Sequence, residues 1–220
     1  MNILLLSLTI FYSVVPPLVL SYCLNLIYRK NHQYGWHFLY LAKYLITLSF
    51  LLVLFLKNVN FGIQPTAFTS VLFLFITVVL SIFGVKYAIK NKVLFFYIGG
   101  IYAAFMEEIL YRGVIFGLID SLFHSSWITI SVTSFAFGVW HLKNFSWHDT
   151  KKATILQFLY TALFYGPVFA IIRIYTGDIY LAILFHYLID ASTALAPTWM
   201  RGWLVYGGRR KYELDTYNEV

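Results

Sequence analysis

Apolar residues in this chain come in long unbroken runs separated by short polar interruptions, not in the alternation of a half-buried strand. Each run is about 20 residues, the length a helix rising 1.5 Å per residue needs to cross about 30 Å of hydrocarbon. The runs fall at about 3–28, 36–56, 66–85, 93–119, 122–141, 153–174 and 178–198. They predict an all-α fold, a polytopic helical membrane protein with about seven transmembrane helices in one bundle. No repeat, low-complexity stretch or soluble domain interrupts them, so residues 1–200 read as one transmembrane domain and 201–220 as a basic cytoplasmic tail. Tight connections such as Arg29 to Gly35 and Thr176-Gly177-Asp178 predict antiparallel packing of neighbours.

Composition supports the same class. Of 220 residues, 60% are hydrophobic and 11% charged, with a mean hydropathy of +0.75. A soluble domain would be about half apolar and one-quarter charged. Eighteen Tyr and six Trp suit membrane interfaces. The single Cys23 excludes an internal disulfide and any CxxC metal or redox motif. Tyr22 is too bulky for a lipoprotein cleavage site, and residues 1–28 lack a basic leader, so they read as a retained first span.

The basic residues give orientation. Twelve Lys and Arg fall in alternate connections and the tail, among them Arg29, Lys30, Lys86, Lys90, Lys151, Lys152 and Arg209. Only Lys57 and Arg173 fall on the opposite side, while Lys43 and Arg112 lie within spans. The positive-inside bias puts the amino terminus outside and the carboxyl terminus in the cytoplasm of a multi-pass cell-membrane protein. The net charge of +7 is then a topology signal beside anionic lipid. No basic folded face points to nucleic acid.

Against this background, ionisable groups inside the runs stand out, because each is costly at bilayer depth. The fourth run carries Glu107, Glu108 and Arg112. At 100° per residue Glu108 and Arg112 share a face and can pair at i,i+4, whereas Glu107 points about 140° from Arg112. Glu108 and Arg112 read as a mutually neutralised brace, and Glu107 as the carboxylate available for chemistry. The bland alternative is a helix-locking ion pair with a spare acid in a water pocket. Gly99, Gly100, Ala103, Ala104, Gly113 and Gly117 read as small residues that admit neighbouring helices.

The fifth run ends Phe137-Gly138-Val139-Trp140-His141, and the seventh carries His186 and Asp190 at i,i+4. A carboxylate one turn from an imidazole can orient it and fix its tautomer. Taken alone, His141 reads first as an interfacial residue, and His186 with Asp190 reads equally as a polar pair joining helices. Together the set suits hydrolysis. A carboxylate takes a proton from water, while imidazoles hold a divalent metal or steady an oxyanion. Two His and one carboxylate (His141, His186, Glu107) would leave an open ligand position, as catalytic zinc sites do. The spacing is not that of an HEXXH helix.

These motifs resemble the CPBP family, which groups CAAX prenyl endopeptidases with bacteriocin-processing and abortive-infection-type membrane proteases. Its EExxxR motif is matched by Glu107-Glu108 through Arg112, FxxxH by Phe137 through His141, and HxxxN or HxxxD by His186 through Asp190. The motif-bearing core covers about 93–195, and residues 1–92 carry no usable motif. The resemblance implies an intramembrane endopeptidase with Glu107 as general base. Glu108, His141, His186 and Asp190 complete the catalytic set, and Arg112 and Phe137 give structural support. It also implies that the histidines ligate one divalent metal ion, zinc first, or contact the oxyanion. Asp190 stands where the prenyl endopeptidases commonly have asparagine, and an acid there would strengthen a metal site.

The implied partners are membrane lipid and a hydrophobic peptide or membrane-delivered protein substrate. The implied roles are peptide processing, bacteriocin immunity or, in a cell that prenylates, CAAX-protein maturation. A non-catalytic immunity or scaffold protein and a proton-coupled transporter are the competing readings. One expectation sits awkwardly. Counted from the cytoplasmic ends of their runs, Glu107 lies about 14 residues or 21 Å deep while His141 lies at the end. A shared site then requires a displaced or tilted fifth helix, or run boundaries shifted by a turn or two.

Overall fold

The structure, a computed structural model, describes residues 3–30, 60–90, 94–142 and 151–195, with isolated positions between 41 and 59. The described residues form helices joined by short turns, with no strand among them. In chain order they are α1 (Ile3–Lys30), α2 (Ala67–Lys90), α3 (Leu94–Glu108), a first π-helical segment π1 (Ile109–Ile115), α4 (Phe116–Phe123), α5 (Ser126–His141), α6 (Lys151–Tyr160), a second π segment π2 (Thr161–Tyr165), α7 (Gly166–Thr176) and α8 (Tyr180–Leu195). The all-α expectation holds. Its first, third, fifth and seventh runs correspond to α1, α2, α5 and α8. Most described positions inside the second run, including Leu41, Leu45 and Val53, are helical too. The tail lies outside the described residues.

Two runs fold as longer composite rods. α3, π1 and α4 join without a break from Leu94 to Phe123, and α6, π2 and α7 join from Lys151 to Thr176. At 1.5 Å per residue these are about 45 and 39 Å long. Among the described residues only Thr154–Thr176 is by itself apolar and long enough to cross a bilayer, and 33% of its apolar stretch is buried. By that measure the described residues hold one such helix rather than seven. The Leu94–Phe123 rod has the length but carries Glu107, Glu108, Arg112 and Asp120.

α3 packs chiefly on α8, α5 against π2 and α7, and α1 against α4 and α5. The core is built from Met106, Leu110, Tyr111, Ile115, Phe137, Trp140 and Phe169 on the facing sides. The outward faces are apolar as well. Phe68, Val71, Leu74 and Phe75 on α2, and Leu163 and Phe164 on π2, are each more than half exposed. Apolar surface on that scale needs a cover, and lipid is the one these helices suit.

The turns are set by local chemistry. His124 takes a left-handed conformation (φ 48°) and its N–H closes α4 on Asp120 O at 2.8 Å. Gly177 (φ 75°) ends α7 on Arg173 O. Asp178 then caps α8, its Oδ1 accepting from Tyr180 N–H at 3.1 Å and its Oδ2 from Thr69 Oγ1 at 2.6 Å. Arg173 corrects an expectation. Counted among outer-loop cations from the sequence, it is buried in α7 and donates to the Asn60 carbonyl and Oδ1, both at 3.2 Å. Lys86, Lys90, Lys151 and Lys152, by contrast, are exposed at helix ends as expected.

The segment around Asn60 is laid against the composite rod where it is thinnest. A Cβ at Gly117 would meet Asn60 O at 2.8 Å, and one at Gly113 would meet Phe61 O at 3.4 Å. Those glycines admit a connecting segment, not the helix the sequence suggested.

Candidate active site

Hairpin arithmetic resolves the depth mismatch. α4 and α5 join at His124 and run antiparallel, so residues equally distant from the turn meet. Glu107 is 17 positions before His124 and His141 is 17 after it. α5 ends at this level because it has only 16 residues against the 30-residue rod beside it. No displaced or tilted helix is needed.

Glu107 and Glu108 end α3, and being adjacent they point into different surroundings. Glu108 is fully buried, and its Oε1 accepts from Arg112 Nη1 at 3.1 Å and from His186 Nδ1 at 2.7 Å. The i,i+4 pair expected from the sequence is therefore present, now across the opening turn of π1. Arg112, equally buried, sends Nη2 to the Gly166 carbonyl at 3.2 Å. Its guanidinium carbon lies 4.2 Å from the centre of the Phe137 ring and 5.2 Å from that of Phe169. One side chain thus ties α3, π1, α5 and the start of α7 together, and electrostatics with the ring faces adds to the bonds.

The histidines are seated in matching ways. His141 Nδ1 lies 2.8 Å from the Phe137 carbonyl, which can only accept, so the hydrogen is on Nδ1. His186 Nδ1 faces the carboxylate neutralised by Arg112 and likewise donates. Both rings therefore turn Nε2 toward Glu107. Its Oε2 is 3.8 Å from His141 Nε2 and 4.0 Å from His186 Nε2. Phe137 meets both imidazoles edge-on, at 4.7 and 5.7 Å between centroids, and Phe169 stacks on His186 at 5.4 Å. The rings are thereby held in place from several sides.

Asp190 is placed differently from the expectation. Its Oδ2 is 3.7 Å from His186 Nε2, beyond a direct hydrogen bond. The carboxylate that orients His186 is Glu108. Asp190, with a side chain 32% exposed, is the most open of the cluster, while the side chains of Glu107, His141 and His186 are 6, 9 and 8% exposed.

The set is of the right chemistry for zinc, and bonding Nδ1 to a carbonyl or carboxylate is how metal-bound imidazoles are commonly oriented. The separations tell against the fit as the residues stand. Ligands about 2.1 Å from a tetrahedral ion are about 3.4 Å apart, against 3.8 and 4.0 Å here. Among the described residues no group of three such side chains is close enough to hold a metal. A water molecule at about 2.8 Å from each of two atoms bridges any separation up to about 5.6 Å, so one water can reach Glu107 and either imidazole.

The sequence reading brought Glu107, Glu108, Arg112, Phe137, His141, His186 and Asp190 to one locality, and all seven meet there. It missed the Glu108–His186 bond, the Gly166 carbonyl and Phe169. No spacing rule links residues 78 or 54 positions apart. A phenylalanine one turn after Gly166-Pro167 was the only trace of the last.

Residues 89–192, the stretch holding all three motifs, match the family model described as Type II CAAX prenyl endopeptidase Rce1-like. The resemblance drawn from the motifs is borne out over that stretch, and the model describes a family of membrane proteases. No curated protein and no solved structure matches the chain.

Proposed function

We propose that this chain of the Rce1-like type is an intramembrane endopeptidase that hydrolyses a peptide bond in a membrane-associated peptide or protein. The observation that carries the reading is the convergence of His141 Nε2 and His186 Nε2 on Glu107 Oε2 in a nearly closed pocket. In this reading seven helices cross the membrane, with the amino terminus outside, the carboxyl terminus in the cytoplasm and the pocket open past Asp190. Nucleic acid plays no part.

Glu107 accepts a proton from water held beside His141 Nε2. The water oxygen bonds to the peptide carbonyl carbon, and the carbonyl oxygen takes the negative charge. His186 in its protonated form donates to that oxygen from Nε2. Glu107 then delivers its proton to the departing amine as the carbon–nitrogen bond breaks. One water is consumed, and a carboxylic acid and an amine are released. Glu108 and Arg112 hold His186 and do not exchange protons with substrate. No step is routed through a metal. Biological roles consistent with this chemistry are peptide processing and immunity to a bacteriocin.

The test compares wild type with Glu107→Gln on a library of membrane-associated peptides that includes a farnesylated CAAX peptide, with both proteins purified at full length. Wild type cuts a subset, and the variant accumulates in the membrane but cuts none. Cleavage at the wild-type rate by Glu107→Gln removes the catalytic assignment.

A further inference from the structure

The mechanism above leaves unused a buried polar group that packs against the ring seating both histidines. Tyr111 is fully buried, and its hydroxyl makes no hydrogen bond to any described residue. Buried polar atoms are nearly always bonded, so an orphan of this kind calls for an explanation such as a missing ligand or catalytic work. Packing does not supply it. The rings around Tyr111 are aromatic, Phe137 at 5.1 Å and Trp140 at 6.1 Å between centroids, and phenylalanine would satisfy them equally.

Helix register sets Tyr111 beside the reacting groups. Tyr111 follows Glu107 by four residues and lies in π1, whose turns close on i→i+5 bonds and so take more than four residues each. Tyr111 therefore stacks almost over Glu107, as Arg112 does over Glu108. Helical side chains lean back over the preceding turn, which here carries both glutamates. The same Phe137 ring that packs on Tyr111 also seats His141 and His186.

Resting on the hydrolytic reading of this pocket, we propose that Tyr111 is a further catalytic residue. Its hydroxyl donates a hydrogen bond to the scissile carbonyl oxygen as that oxygen becomes negative. The partner missing from the protein is the substrate. A donor placed this way acts on charge that develops during reaction, so it accelerates the chemical step more than it tightens binding.

Tyr111→Phe tests this in the purified full-length protein, with the library peptide that wild type cuts fastest as probe. The expected result is a fall in kcat of about 10²- to 10³-fold, the effect of losing one such donor, with KM unchanged. The melting temperature should equal or exceed that of wild type, because an unpaired buried group has gone. An unchanged kcat overturns the proposal. So does a loss of kcat accompanied by a lower melting temperature or poor accumulation, which would give the hydroxyl a structural partner. Glu107→Gln run alongside separates the two readings. If it is inactive while Tyr111→Phe keeps full rate, only the role of Tyr111 fails. If Glu107→Gln itself keeps full rate, the hydrolytic reading fails beneath both.

Discussion

Replacing Arg112 by methionine should do more damage than any change in the pocket itself, and removing Glu108's charge as well should undo most of it. The side chain is fully buried and holds both Glu108 Oε1 and the Gly166 carbonyl. Arg112→Met leaves a buried carboxylate without its cation, a loss of about 3–5 kcal/mol when a buried pair is broken. The abandoned Gly166 carbonyl adds about 1–3 kcal/mol. A total of about 4–8 kcal/mol is comparable to the whole stability of a typical domain, about 5–15 kcal/mol. The single variant should therefore hardly accumulate. In Glu108→Gln/Arg112→Met no charge is stranded, and the amide oxygen can still accept from His186 Nδ1. That double variant should recover about 3–5 kcal/mol, a melting temperature on the order of 10 °C above the single. Its activity should stay about 10- to 100-fold below wild type, because a neutral amide orients the imidazole less firmly. Membrane accumulation and thermal melts of the three proteins in one detergent measure this. An Arg112→Met protein that melts with wild type, or a double variant no better than the single, refutes the brace.

Other outcomes follow from the same geometry. Exhaustive chelation should leave cleavage intact, and a loss that zinc restores would put a metal in the pocket. Asp190→Asn should fold normally and keep measurable activity, since Glu108 and not Asp190 orients His186; complete inactivation, read by peptide cleavage, would show that the acid itself is required. Gly117→Ala should cost about 1–3 kcal/mol, because its Cβ would stand 2.8 Å from the Asn60 carbonyl and 2.9 Å from Val59 Cγ1; an unchanged melting temperature would show that this segment gives way freely. Gly138→Ala should be similar, with Ala162 Cβ at 2.6 Å.

Much of this was legible in the residues because a bilayer makes exceptions conspicuous. A carboxylate in an apolar run needs a reason, so Glu107, Glu108, His141 and His186 could be singled out from one chain, and i,i+4 spacing gave the Glu108–Arg112 pair. What escaped was what spacing cannot encode. The two π segments, Ile109–Ile115 and Thr161–Tyr165, follow no rule of hydrophobic spacing, and Gly113 in the first and Gly166-Pro167 after the second do not by themselves distinguish a π turn from ordinary packing. Arg173 looked like a loop cation because the sequence does not reveal that the segment around Asn60 folds back over it. The depth of His141 was misjudged by counting from the cytoplasmic ends of runs. Counting from the shared turn at His124 was available all along and gives the observed register.

The two adjacent glutamates then have a common explanation. Consecutive helical residues point about 100° apart, so a Glu–Glu step at a helix seam must send one carboxylate into the packed interface and the other into the cleft. The inward one meets an arginine one turn on and an imidazole from α8, and so fixes the relation of α8 to the rod. The outward one faces the other nitrogen of that same imidazole across 4.0 Å, a gap that a single water fits. A single glutamate could not do both, because an oxygen already engaged by Arg112 and His186 Nδ1 is turned away from the cleft and from water. Exchanging the order of duties, with Glu107 changed to Gln in one protein and Glu108 to Gln in another, should therefore separate the effects. The first should lose cleavage with its stability kept, and the second should lose stability first and cleavage with it.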